Sequence, residues 1–255
     1  MSWIEITSAA PVLNTPNFSY VFGGDSGTSI PLDAFGHPQH FEFVALKKMR
    51  FKVVEEIGSY ILQIQWPTYG NQPLYIDRRF CSPISRDSFP APKKLSVHSI
   101  LQHMETRVGT PYVWGGNWAL GIPEMLLYYP PKKPLDSRMQ TLWTFQGLDC
   151  SGLLFEATQG LTPRNTSHLL HVGRSLKTQE PLQPLDMIIY PGHVLFVRNE
   201  TTIIESKSPF GVRICPLTQR MEEISAQRTL ILDVNCTKLC NPFFTIRRLN
   251  LSFFS

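Results

Sequence analysis

The sequence predicts an α+β protein with two domains, a small β-barrel followed by a larger domain in which helices precede an antiparallel sheet. Three observations favour this fold class. Short alternating runs separated by turn residues fill the first part of the chain, a proline-rich stretch follows, and helical periodicity then gives way to short apolar strands. A chain of 255 residues is long enough for two modest domains.

The N-terminal segment has the pattern of a small β domain. Its clearest predicted strands are Phe41–Leu46, Phe51–Glu55 and Tyr60–Trp66, and Gly, Pro, Asn and Asp turns separate them. We therefore assign residues 1–82 to a β-barrel. Residues 83–95 contain three prolines, which disfavour regular structure, so this segment is the predicted linker.

Residues 96–255 form the predicted second domain. Ser96 is expected to cap a helix from Val97 to about Val108, and a second helix is expected after Cys150, ending near Gly160. A hairpin turn is expected at 198–201. The predicted strands are Met187–Tyr190, Val194–Val197, Thr202–Glu205, Val212–Cys215, Leu230–Val234 and Phe244–Arg248.

Composition and charge exclude several classes of function. The chain is 42% hydrophobic and 17% charged, as in ordinary globular proteins. Its net charge is +4, but the basic residues are scattered, so no stripe for nucleic acid is predicted. The sequence contains no run of about 18 apolar residues, so no membrane span is predicted. The N-terminus lacks the pattern of a secretory signal. Five cysteines, an odd number, favour a reducing cytoplasm.

Cys150 is the candidate nucleophile. It lies in the sequence Gly-Leu-Asp-Cys-Ser-Gly, where a turn leads into the predicted helix. The free amide hydrogens and the positive dipole end of such a helix favour the thiolate, which is the form of cysteine that attacks carbonyl groups. The alternative is a buried structural cysteine.

His193 is the candidate base, and Glu205 is its candidate partner. His193 opens a predicted strand after Pro191-Gly192, which is expected to place its ring at the sheet edge. If the hairpin forms, Glu205 lies on the next strand, where its carboxylate can accept one ring proton and direct the other nitrogen to sulfur. The alternatives are an ordinary satisfied histidine and a surface glutamate.

Four motifs in order resemble the signature of NlpC/P60 peptidases. They are Gly-Thr-Pro-Tyr-Val-Trp-Gly-Gly at 109–116, Asp-Cys-Ser-Gly at 149–152, Pro-Arg at 163–164 and Gly-His-Val at 192–194. The resemblance implies a papain-like α+β fold in which Cys150 is the nucleophile and His193 the base. The third catalytic place lies twelve residues after the histidine, at Glu205, where histidine is the commoner occupant.

The resemblance also implies the substrate. Family members hydrolyse peptidoglycan stem peptides, typically between D-glutamate and a diamino acid such as diaminopimelate. Residues 1–82 are similar to bacterial SH3-like domains in length and strand rhythm. In relatives such a domain can restrict cutting to peptides with a free N-terminus, here expected to be L-Ala; the alternative is a passive wall-binding or stabilising module. Tyr112, Asp149 and Ser151 match the pocket for that amine, although Asp149 can instead simply cap a helix.

Two features depart from the family pattern. The segment 117–148 is far longer than usual and is expected either to cover the cleft or to narrow it. Leu185 stands where a glycine is usual. No metal or other cofactor is predicted, because the pairs His168 and His171, and Cys236 and Cys240, lack the spacing of metal ligands.

Two other function classes stay open at this point. One is a papain-like acyltransferase or transglutaminase-type enzyme, which passes the acyl group to an amine or alcohol. The other is a non-catalytic wall-binding protein, favoured by Glu205 in place of histidine and by the long insertion. The expected partner is a peptidoglycan-derived peptide, and the chain is expected to be a monomer.

Overall fold

The computed structural model describes residues 2–23, 26–85, 94–177, 179–234 and 242–250. The chain forms two compact units, each made from two separate segments. The first unit comprises residues 1–90 and 111–149, and the second comprises residues 91–110 and 150–255. The predicted domain division into 1–82, 83–95 and 96–255 stays a prediction, and the boundaries of the compact units lie at other positions.

The described residues contain sixteen strands, seven α-helices and one 3₁₀ turn at Arg78–Phe80. The helices are α1 (Phe18–Val21), α2 (Val97–Glu105), α3 (Glu124–Tyr128), α4 (Ser137–Trp143), α5 (Cys150–Ala157), α6 (Thr166–Leu169) and α7 (Leu217–Ser225). The strands are β1 (Trp3–Ile6), β2 (Ala10–Leu13), β3 (Phe41–Ala45), β4 (Arg50–Ile57), β5 (Ile61–Gln65), β6 (Leu74–Asp77), β7 (Cys81–Ile84), β8 (Asn117–Trp118), β9 (Gly147–Leu148), β10 (Arg174–Ser175), β11 (Met187–Tyr190), β12 (His193–Val197), β13 (Thr202–Lys207), β14 (Gly211–Pro216), β15 (Thr229–Leu230) and β16 (Phe243–Arg248).

The first unit is built on a seven-stranded antiparallel sheet. Its strand order is β3-β2-β6-β5-β4-β1-β7. The three strands predicted around residues 41–66 are confirmed with small changes at their ends. Alternate residues of β5 face the core, which is the pattern expected of a half-buried strand. The SH3-like assignment stays a prediction.

The long insertion at 117–148 packs into the core of the first unit. It carries α3 and α4, and its buried residues join the same apolar cluster as the N-terminal strands; these are Ile122, Met125, Leu142, Trp143 and Phe145. The Asn117 side chain pairs with the Val44 backbone in both directions. The Val44 N–H donates to Asn117 Oδ1, the Asn117 amide donates to the Val44 carbonyl, and both bonds are 2.8 Å long. The insertion is therefore part of the structure of this unit.

Close backbone approach explains the glycine that precedes the insertion. A Cβ atom on Gly116 would lie 2.5 Å from the carbonyl oxygen of Gly147, closer than van der Waals contact permits. The backbone of β8 and β9 meets directly after this point, with Asn117 opposite Leu148. A glycine at 116 is thus required by packing within the first unit.

The second unit is a sheet flanked by helices, and it has a mixed α/β fold. Its strand order is β10-β16-β11-β12-β13-β14, and β15 pairs in parallel with β16. The predicted strands at 187–190, 194–197 and 202–205 are confirmed with small changes at their ends, as is the hairpin between the last two. The predicted strand at Leu230–Val234 is only Thr229–Leu230.

The helices that precede the sheet also agree with the sequence. Ser96 caps α2 through a reciprocal capping box with Ser99, although α2 ends at Glu105, earlier than predicted. Helix α5 begins at Cys150, and Gly160 follows it with φ +84°. Leu185 adopts φ +71°, a left-handed conformation that glycine adopts more readily than leucine.

Helix α7 was not predicted from the sequence. Its buried residues are Leu217, Arg220 and Ile224, which recur at helical spacing. Leu217 and Ile224 belong to the apolar cluster of the second unit. The arginine between them is buried on the same face, and it contributes to the site described next.

Candidate active site

Cys150 is the first residue of α5, as its motif predicts. The residue is 5% exposed, and every residue of this helix is buried. Its Sγ lies 3.6 Å from Thr166 Oγ1 and 3.8 Å from the carbonyl oxygen of Gly192. Because the first amides of a helix have no partner within the helix, the sulfur lies next to the positive end of the α5 dipole.

His193 lies beside Cys150 at the beginning of β12. The expectation that its ring lies at the sheet edge is wrong, because β12 is flanked by β11 and β13. The residue is instead at the end of an interior strand and is 8% exposed. Its Nε2 atom lies 2.9 Å from Glu205 Oε2. Cys150 is near enough to act on this ring and raise its pKa. Because Glu205 occupies Nε2, Nδ1 is the ring nitrogen that is left for the sulfur.

The three predicted catalytic residues are therefore together in the second unit. Burial alone would lower the pKa of His193, but the influence of Cys150 and Glu205 outweighs burial and raises the pKa from 6.5 to about 8. The imidazole is consequently protonated at neutral pH. A protonated imidazole beside a cysteine favours the thiolate.

Glu205 is fully buried and is held by two arginines as well as by His193. Arg213 donates to Oε1 through Nε at 3.0 Å and Nη2 at 2.7 Å. Arg220 donates to Oε2 through Nη2 at 2.9 Å. Burial would raise the pKa of Glu205, but the hydrogen bond and charge of His193 and the two guanidinium groups lower it from 4.5 to about 2. Glu205 is thus a carboxylate.

Sequence reasoning missed both arginines, although each had a signal. Arg213 lies directly opposite Glu205 in the β13–β14 pairing, so counting outward from the turn at 208–210 finds it. Arg220 occupies the apolar face of α7, where a buried charge requires a partner. Thr166, beside the sulfur, had no signal of this kind.

The three predicted substrate contacts are not gathered in one unit. Ser151 is in the second unit, where its Oγ accepts a hydrogen bond from Arg164 Nη1 at 2.9 Å. Tyr112 and Asp149 belong to the first unit. The Asp149 carboxylate is buried and accepts a hydrogen bond from the Gly115 N–H at 3.0 Å. The role of all three in binding substrate stays a prediction.

No group of three or more potential metal ligands occurs among the described residues. Cys236 and Cys240, which were considered as ligands, lie outside the described residues. Within the described ranges, no helix has the length and apolar character needed to cross a bilayer. The predictions of a cytoplasmic location and a monomeric state stay predictions.

Comparisons with known proteins found similarity only among solved structures. No family model matches the sequence, and no curated protein matches it. Among solved structures, an NlpC/P60 family protein from Bacillus cereus is 15% identical with a TM-score of 0.37, and the match covers 97% of this chain and 63% of that one. This chain therefore spans less than two thirds of that protein.

Two mycobacterial structures are similar over part of the chain. The peptidoglycan hydrolase RipB from Mycobacterium tuberculosis is 19% identical with a TM-score of 0.37, over 60% of this chain and 64% of that one. RipD from the same organism, a non-catalytic NlpC/p60 domain protein adapted to peptidoglycan binding, is 20% identical with a TM-score of 0.35, over 48% of this chain and 87% of that one.

Proposed function

We propose that this protein is a cysteine peptidase of the NlpC/P60 type that hydrolyses amide bonds in peptides derived from peptidoglycan. The observation that carries the proposal is that three buried residues lie together: Cys150 Sγ is 3.8 Å from the carbonyl oxygen of the residue before His193, and His193 Nε2 is 2.9 Å from Glu205 Oε2. A nucleophile, a base and a group that orients the base are the three parts that thiol-dependent acyl transfer requires. The four ordered motifs supply the substrate class.

The first half of the reaction acylates Cys150. The thiolate attacks the carbonyl carbon of the scissile amide, a sulfur–carbon bond forms, and the carbonyl oxygen becomes an oxyanion. The N–H groups at the start of α5 can stabilise that oxyanion. His193, which is protonated at neutral pH, then gives its proton to the amide nitrogen. The carbon–nitrogen bond breaks, and the amine leaves.

The second half of the reaction returns the enzyme to its starting state. Neutral His193 takes a proton from water, and the resulting hydroxide attacks the acyl carbon. The sulfur–carbon bond breaks, the carboxylic acid leaves, and the thiolate–imidazolium pair forms again. Throughout both halves, the Glu205 carboxylate accepts a hydrogen bond from the Nε2 N–H and thereby fixes which ring nitrogen faces sulfur.

The proposed bond is γ-D-glutamyl-diaminopimelate in peptides with a free N-terminal L-Ala. Support comes from the motif residues Tyr112, Asp149 and Ser151, because a carboxylate and a tyrosine suit an ammonium group. Residues 1–82 are proposed to act as the SH3-like domain that restricts cutting to free N-termini. These assignments rest on the resemblance in sequence.

The proposal is tested with the tripeptide L-Ala-γ-D-Glu-diaminopimelate and its N-acetylated form. Wild type is expected to release diaminopimelate from the free peptide, and Cys150→Ala is expected to lose at least about 10⁴-fold in rate, because the nucleophile is gone. Fragment masses identify the bond that is cut. Equal cutting of the acetylated peptide would contradict the amine pocket.

The same experiment separates the two alternatives. An acyltransferase or transglutaminase-type enzyme would join the acyl group to an added amine, whereas a hydrolase incorporates labelled oxygen from water into the acid product. A non-catalytic wall-binding protein would bind the peptide and release no fragment, and its Cys150 would react with iodoacetamide no faster than a free thiol. Either result would overturn the proposed hydrolysis.

A further inference from the structure

Glu205 has more positive partners than the orientation of His193 needs. One carboxylate fixes an imidazole in the usual arrangement of nucleophile, base and orienting group. Here that carboxylate also accepts three hydrogen bonds from Arg213 and Arg220. Two guanidinium charges therefore face one buried negative charge, and the charge that Glu205 presents to His193 is partly offset.

We propose that Arg220 and Arg213 are positioning residues that hold the Glu205 carboxylate in place and offset its charge, so that His193 can release its proton to the leaving group. The part that concerns catalysis rests on the function proposed above. The electrostatic part rests on the contacts alone. Arg220 contributes more than Arg213 to the charge offset, because it binds Oε2, the oxygen that also accepts the hydrogen bond from His193.

The environment of Arg220 favours a functional role over a purely structural one. The residue is almost fully buried on α7, and its Nε has no hydrogen-bond partner in the part of the chain that the structure describes. A buried, unpaired donor costs stability. An apolar residue at this place, between Leu217 and Ile224, would pack without that cost. The guanidinium is therefore present for the charge that it brings to Glu205.

Other charged and titratable groups also face this cluster, from each element packed against it. They are Cys150 from α5, Tyr190 from β11, Arg213 and Cys215 from β14, Glu223 from α7 and Arg228 after α7. Glu223 pairs with Arg220 Nη1 but is largely exposed, so water screens its charge. The Arg228 guanidinium lies 4.0 Å from the centre of the Tyr190 ring. Arg220 is the buried cation in direct contact with Oε2.

The charge offset matters because His193 has two tasks that oppose each other. It must hold a proton while Cys150 is a thiolate, and it must then give that proton to the departing amine. A buried carboxylate without compensating cations would hold the imidazolium too tightly for the second task. Two arginines weaken that hold while they keep the carboxylate in position.

The test measures the pKa of His193 by NMR titration of ring-labelled histidine, with His193→Gln identifying its signal. Arg220→Met removes the charge and retains an unbranched apolar chain. We expect the pKa of His193 to rise by about one unit, since a nearby cation is lost. Arg213→Gln should raise it by about half as much, because Arg213 binds the other oxygen and is more exposed. Arg220→Lys should restore a value near that of wild type.

Arg198→Met is the matched control. Arg198 pairs with Glu105 in the same unit and does not contact Glu205, so the pKa of His193 should not change. A purely structural role for Arg220 predicts the opposite sign. A loosened site would admit water and move the pKa of His193 down towards 6.5. A lower or unchanged pKa of His193 in a folded Arg220→Met protein would overturn the proposal. If Arg220→Met does not fold, a lower or unchanged pKa of His193 in Arg213→Gln would overturn it instead.

The titration needs no substrate, so the two proposals fail separately. If wild type cuts no peptide but Arg220→Met raises the pKa of His193, the arginine proposal stands and the proposed peptidase function does not. If wild type cuts the peptide and the pKa does not move, the arginine proposal is wrong. For an active enzyme, the alkaline limb of kcat/KM should shift to higher pH in Arg220→Met.

Discussion

The two compact units differ in what they bury. Within the described residues, the first unit buries four polar side chains, namely Asp77, Asn117, Thr144 and Asp149. The second unit buries twelve, namely Ser151, Glu156, Thr158, Thr162, Arg164, Asp186, His193, Glu205, Ser206, Arg220, Thr245 and Arg247. Buried charges are costly unless they are paired. The second unit therefore depends more than the first on the pairing of buried polar groups.

Aromatic rings pack against one another in the core of the first unit. Phe41 and Phe145 stack with ring centres 3.8 Å apart, and Phe22 contacts both Trp143 and Phe145. Contacts of this kind contribute stability through buried area and ring geometry. Comparing the two units teaches that substitutions in the first should change stability, whereas substitutions at the buried charges of the second should change chemistry.

The substitution expected to have the largest effect is at Trp143 in the first unit, where the change should be in stability. Trp143→Ala removes a fully buried ring and the hydrogen bond from its Nε1 to the Tyr129 carbonyl. We expect a loss of about 3–5 kcal/mol in the free energy of unfolding, measured by urea titration. The pKa of His193 should stay near 8, because the substituted ring is outside the second unit.

Leu127→Ala is the control for Trp143, since Leu127 is also in the insertion but is 73% exposed. Its effect should be within about 0.5 kcal/mol. If Trp143→Ala costs no more than Leu127→Ala, the insertion does not belong to the core of the first unit.

A smaller effect, on the reaction, is expected at Glu205. Glu205→Gln keeps the shape of the side chain but loses the charge, so kcat/KM should fall by about 100-fold, equal to about 2.7 kcal/mol. The pKa of His193 should fall as well, because the negative charge that favours the imidazolium is gone. Unchanged activity together with an unchanged pH profile would show that Glu205 has no part in the reaction.

The same variant sharpens the contrast through the pH dependence of stability. The pKa of Glu205 is lowered to about 2. Its contribution to the free energy of unfolding is therefore present above pH 4.5 and is lost as the pH falls towards 2. The pKa of His193 is raised to about 8. Its contribution to the free energy of unfolding is therefore present below pH 6.5 and is lost as the pH rises through 8. Glu205→Gln should reduce the change of this free energy with pH in both ranges, whereas Trp143→Ala should lower it by a similar amount at every pH.

The smallest expected effect is at the cap of α2. Ser96→Ala removes the acceptor for the Ser99 N–H and should cost about 1 kcal/mol. Thermal unfolding measures this change, and peptide hydrolysis should stay within about twofold of wild type. Thr106→Ala, which alters a hydroxyl at the other end of the same helix, is the control and should cost less. A large loss of activity from Ser96→Ala would break the division between stability and chemistry.

Local patterns predicted much of the second unit and of its candidate site. The start of α2, the start of α5 and the hairpin between β12 and β13 each depend on residues close together in sequence. That hairpin places His193 and Glu205 within reach of each other, since only four residues separate the strands. Position in a helix and position in a hairpin were therefore enough to bring the three catalytic candidates together.

The parts that could not be predicted depend on long-range contacts. Asn117 pairs with Val44, 73 residues away, and a single sequence contains no signal for that pairing. The sequence shows the length of the insertion but not the apolar cluster that it joins. Arg220 reaches Glu205 only because α7 packs on the sheet. Helical spacing can place Arg220 on the apolar face of α7, but it does not show which carboxylate that face will meet.

The interleaving of the two units constrains how the protein is made. A ribosome releases residues 97–105, which form α2, before residues 111–149, which complete the first unit. The ion-pair partner of His103 and Arg107 is Glu156 on α5, and that residue emerges later still. The first unit can fold completely only after residue 149 has been synthesised, and by then α2 has emerged while Glu156 has not. Slowing translation between these segments is consequently expected to prolong the exposure of α2 to chaperones and proteases.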